Sequence, residues 1–105
     1  IKITSQAGTN LTCNIKGRKA NPAPGWCYEK RIIASPPDAE TNIALIEDST
    51  NGFLVVDGSI PCDEIGLLNN PLKLEFKNGK VINITGEKSN ILNTLFDKDN
   101  NPNYR

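Results

Sequence analysis

The chain alternates apolar and polar positions in short runs, and turn residues separate the runs. Residues 1–5 read Ile, Lys, Ile, Thr, Ser, the period of a half-buried strand. A Gln6-Ala7-Gly8 turn follows, and residues 10–16 alternate again with Leu11, Cys13 and Ile15 on one face. The two runs predict a hairpin. Residues 17–35 carry Gly17, Pro22, Pro24 and Gly25, so they predict a long ordered loop with a short extended piece near residues 31–34. Trp26 reads as a hydrophobic plug under that loop in preference to a ligand-stacking residue. Pro36-Pro37-Asp38 predicts an extended turn.

Residues 41–47 predict a strand, and Asp48 to Gly52 a turn built on Asn51-Gly52 and capped by Asp48. Phe53 to Val56 is wholly apolar and predicts a well-buried strand, ended by Asp57-Gly58-Ser59. Residues 60–70 read as an irregular connection. Leu72, Leu74 and Phe76 alternate with Lys73 and Glu75, and Asn78-Gly79 joins this run to residues 80–84 as the clearest hairpin. Ile91, Leu92, Leu95 and Phe96 form one stripe at helical spacing, which predicts a helix over residues 87–96 with Glu87 in its first turn.

Short strands and one late helix predict a mainly β (or α+β) fold, a small barrel-like or open sandwich of short antiparallel strands. Residues 1–98 read as a single β-rich domain, part of a larger protein, and residues 99–105 as a linker or tail. With 105 residues the chain can bury a real core but not a large one. Twelve basic and twelve acidic residues cancel, so no field argues for nucleic acid or an anionic membrane surface. No apolar run approaches the roughly 20 residues of a membrane helix. The chain has no His, which argues against a Ser-His-Asp triad, a Cys-His pair or a self-contained zinc hydrolase. Cys13, Cys27 and Cys62 show no metal-binding spacing and read as reduced and mostly buried, which favours a cytoplasmic protein.

Among the carboxylates, Asp63, Glu64, Glu75, Asp97 and Asp99 read as solvated surface. Glu40 differs, because it follows a Pro-Pro-Asp-Ala turn at the mouth of a strand. A carboxylate there is fixed by backbone yet open to a ligand, which suits a metal ligand or a general base. Asp57 could serve as a supporting carboxylate, although capping its own turn is the simpler role. Thr9 and Asn10 offer a hydroxyl and an amide beside the first turn.

The order of these motifs resembles the aminopeptidase T (leucyl aminopeptidase-like) family of metallopeptidases, which includes relatives of 2,5-dihydroxypyridine 5,6-dioxygenase. ITSQAGTNLTCNIKGR is similar to the family's SPAGTDLT…GR hairpin. PDAETNIALIEDSTNGFLVVDGSI is similar to its longer motif ending in DGSI, and PLKLEFKNGKVINITG to its next hairpin. NPNYR is similar to the approach to a segment reading roughly NIAELGIG. Ala39-Glu40-Thr41 stands where the family has Gly-Glu-Val, and Asn10 where it has Asp. The resemblance implies a divalent metal (Zn, Co, Mg, Mn or Fe) in the full-length protein and none held by this chain alone. It implies Glu40 as one metal ligand, with Thr9, Asn10 and Asp57 as site-wall residues and the other ligands downstream. No catalytic residue is assigned within the chain. The implied partner is the remainder of the same polypeptide. The rival expectation is a non-catalytic oligomerisation or interaction domain, which admits a homodimer.

Overall fold

A computed structural model describes residues 1–27, 29–30, 33 and 39–98. In chain order the elements are β1 (Lys2–Thr4), β2 (Asn10–Thr12), β3 (Asn21–Ala23), β4 (Glu40–Asn42), β5 (Asn51–Val56), β6 (Ser59–Ile60), β7 (Gly66–Leu67), β8 (Leu72–Lys77), β9 (Lys80–Gly86) and α1 (Ser89–Lys98). One antiparallel sheet runs β1-β2-β5-β8-β9, and β3-β4 and β6-β7 form separate two-stranded ribbons. The fold is therefore mainly β with one late helix, as the pattern predicts. The five-stranded sheet stays open with β1 and β9 at its edges and does not close into a barrel.

Both predicted hairpins form. β1 meets β2 in the register Ile3↔Leu11, and β8 meets β9 across Asn78-Gly79. Asn78 and Gly79 both take positive φ (51° and 77°), the twist a two-residue hairpin turn needs. β9 carries a bulge: Glu75 opposes Asn83 while Phe76 opposes Val81, so Ile82 is the extra residue.

Register sorts the side chains. Ile3, Leu11, Leu54, Leu74 and Ile84 share one face, together with Val56 and Leu72. That face holds the core of Ile65, Leu68, Leu72, Leu74, Ile84 and Leu92, and α1 packs over its β9 side. Leu72 is fully buried. The opposite face carries the rung Thr4↔Asn10↔Phe53↔Glu75↔Asn83. Antiparallel sheets commonly divide this way, one face dry and one wet.

Several local expectations are corrected. Residues 43–47 lie outside any strand, and the turn falls at Glu47-Asp48. Ser49 serves that turn in place of Asp48: its Oγ donates to the Ile46 carbonyl (2.6 Å) and accepts from the Asn14 amide (3.0 Å). Asn51 and Gly52 open β5 instead of making a turn, because Gly52 sits against the Asn10 carbonyl with φ 112°. β5 is half-buried, since its Phe53 and Val55 point to the wet face. Residues 60–70 contain the β6–β7 ribbon and contribute Ile65 and Leu68 to the core.

α1 starts two residues later than predicted. Glu87 precedes it and accepts from the backbone amides of Asn69 (3.0 Å) and Asn70 (2.5 Å). Trp26 is exposed, not a buried plug. Of the thiols, Cys13 is buried, Cys62 half-buried and Cys27 exposed. The extended piece expected near residues 31–34 falls mostly outside the described residues, as do the Pro36-Pro37-Asp38 turn and the tail from residue 99.

Candidate functional site

Glu40 opens β4, whose partners in β3 are Ala23, Pro22 and Asn21. Its carboxylate is exposed, and its Oε1 accepts from the Asn42 amide at 3.1 Å. This i, i+2 contact on one strand face holds the carboxylate along the ribbon, and among the described residues its second oxygen has no partner. β3 and β4 pair with each other, apart from the five-stranded sheet.

Thr9, Asn10 and Asp57 belong to that larger sheet. Thr9 is buried, and its hydroxyl is spent on β5: it accepts from the Val55 amide (3.0 Å) and lies 3.3 Å from the Val55 carbonyl as donor. Asn10 is exposed in β2, opposite Phe53. Asp57 is exposed just past β5, two residues beyond Val55. These three therefore gather around one end of the β2–β5 pair, and Glu40 stands on another element.

The donor set decides how a metal could be held. Among the described residues, no three of Cys, Asp and Glu stand together as a metal-binding group. A lone carboxylate does not hold a divalent cation, which takes several ligands.

Two carboxylates have unusual electrostatics. The Glu47 carboxyl is held below the ordinary range, first by its own backbone amide and then by the Arg18 guanidinium, 2.5 Å away. The Glu87 carboxyl is lowered chiefly by the Asn70 amide. Both clasp structure: Glu47 ties the turn before β5 to residue 18, and Glu87 ties the entry of α1 to the bend before β8.

Two surface features escape a sequence reading. On the wet face, the Lys73 ammonium lies 3.9 Å from the centre of the Phe53 ring, beside a concavity of about 80 Å³ lined also by Glu75, Asn83 and Thr85. Phe53 reads as core in an apolar run, and only the register with Glu75 turns it outward. On the dry face, α1 covers the β9 side and leaves the β1 side open. Ile1 is 55% and Ile3 48% exposed there. Leu45 is also exposed, one residue before Ile46, whose amide donates to the Asn14 carbonyl beside the end of β2. Strict alternation in residues 1–5 signals an apolar face but not what covers it.

No family model, curated protein or solved structure matches this chain. Among the described residues, no helix is long and apolar enough to cross a membrane.

Proposed function

We propose that this chain is a non-catalytic interaction domain, whose half-covered sheet is completed by further protein. The observation that carries the reading is the β1 side of the dry face, where Ile1 and Ile3 stay about half-exposed and, among the described residues, no helix packs. Apolar surface left open on a sheet face suits an interaction site. The three thiols suit a reducing, cytoplasmic setting.

Binding of an apolar dye such as anilinonaphthalene sulfonate to the folded chain tests this. The expected result is clear fluorescence enhancement with native circular dichroism, reduced by Ile3→Lys. A folded chain that leaves the dye dark sinks the proposal.

The metalloenzyme reading is the second one, and the exposed Glu40 carboxylate at the start of β4 supports it. Here the chain is the β-rich domain of an aminopeptidase T-like hydrolase, and Glu40 is its contribution to a divalent-metal site completed outside this chain. Metal content of this chain beside a longer version checks it. Stoichiometric metal in the longer version alone, lost on Glu40→Gln, is the expected result; metal unaffected by Glu40→Gln removes Glu40 from the site.

A further inference from the structure

We infer that the concavity on the wet face binds the zwitterion of a small α-amino acid, held between Lys73 and Glu75. The site lies on the sheet face opposite the open β1 flank and does not rest on the interaction-domain reading. Neighbouring rungs of β8 and β9, Lys73↔Thr85 and Glu75↔Asn83, form its floor, and Phe53 of β5 stands opposite Glu75. These side chains line about 80 Å³, room for several waters or one small solute.

The two rungs divide by chemistry. On one, the Lys73 ammonium and the Thr85 hydroxyl can donate; on the other, the Glu75 carboxylate and the Asn83 amide oxygen can accept. Lys73 and Glu75 stand two residues apart on one strand face, about 6.8 Å along the strand. Among the described residues, neither enters an ion pair, and the side chains of Glu75, Asn83 and Thr85 have no hydrogen-bond partner. The Lys73 ammonium lies 3.9 Å from the centre of the Phe53 ring instead, an attraction that holds it in place. Both charges therefore stay unspent and apart. A simple anion here would also meet Glu75, and a simple cation would also meet Lys73. An α-amino acid carries both charges around one carbon, and a charge-assisted hydrogen bond of about 2.8 Å at each end spans a gap of this size. Its carboxylate goes to Lys73 and Thr85, and its ammonium to Glu75 and Asn83.

An NMR titration of the isotope-labelled chain with alanine, N-acetylalanine and alaninamide tests this. Alanine should shift the backbone amide resonances of Lys73, Glu75, Asn83 and Thr85 and saturate. N-acetylalanine keeps only the carboxylate and alaninamide only the ammonium, so each should bind about fivefold more weakly, the upper end for one exposed ion pair. Lys73→Gln and Glu75→Gln should each weaken alanine by a similar factor, and Leu67→Ser, exposed on β7, should leave it unchanged. The comparison of the three ligands on the parent chain requires no variant to fold. Absence of saturable shifts at these residues overturns the proposal. So does N-acetylalanine binding as well as alanine, which marks a plain anion site, and so does alanine binding indifferent to Glu75→Gln.

Discussion

Thr9 shows how a residue that looks chemical can be structural. A hydroxyl beside a Gly turn suits a binding wall, but here it extends the β2–β5 ladder by side chain where the backbone pairing stops at Asn10↔Phe53. Thr9→Val keeps the shape and removes the hydroxyl, leaving the Val55 amide without its partner at a buried position. The expected loss is about 1–3 kcal/mol of stability in urea unfolding. A variant as stable as the parent would return Thr9 to the list of available site residues. Gly52 is the companion case. Asn-Gly signals a turn locally, and nothing in the adjacent residues says that β2 will press its Asn10 carbonyl against this position. Gly52→Ala meets both that carbonyl and a φ of 112°, so it should cost about 2–4 kcal/mol, read as a lowered unfolding midpoint. Glu40 was legible as exposed and strand-initial. Its separation from Thr9, Asn10 and Asp57 was not, because ribbon partners are fixed by long-range pairing.

At the scale of elements, the parts written locally are the parts that could be read. The β1–β2 and β8–β9 hairpins follow from period-two alternation across a short turn, and α1 from a stripe at helical spacing. Ile65 and Leu68 were missed because they lie in an aperiodic stretch, and their burial depends on α1 and β8 closing over them. Acidic residues favour first turns, which predicts Glu87 inside the helix, yet the nearby Asn69 and Asn70 amides claim its carboxylate. That clasp has a pH signature. The folded-state pKa lies below the ordinary carboxylate value, so its stabilisation is complete above that value and is lost as pH falls through the folded pKa. Glu87→Gln should lower the thermal midpoint at neutral pH and flatten its decline towards about pH 3. A residual slope should persist, because Glu47 shifts in the same direction. Parallel acid limbs for parent and variant would show that the clasp adds nothing.

For the whole molecule, the two flanks of the sheet differ. On the dry face α1 packs on the β9 side, while on the β1 side Ile1 and Ile3 stay about half-exposed. Whatever covers the β1 flank binds the folded state alone, so the unfolding midpoint should rise with its concentration. The uncovered chain gives its own check. Ile3→Lys removes apolar surface that the fold leaves largely in water, so it should change urea stability by less than about 0.5 kcal/mol while reducing dye binding. A loss of several kcal/mol would mean that Ile3 is packed in solution, and the open flank would then have no partner to explain.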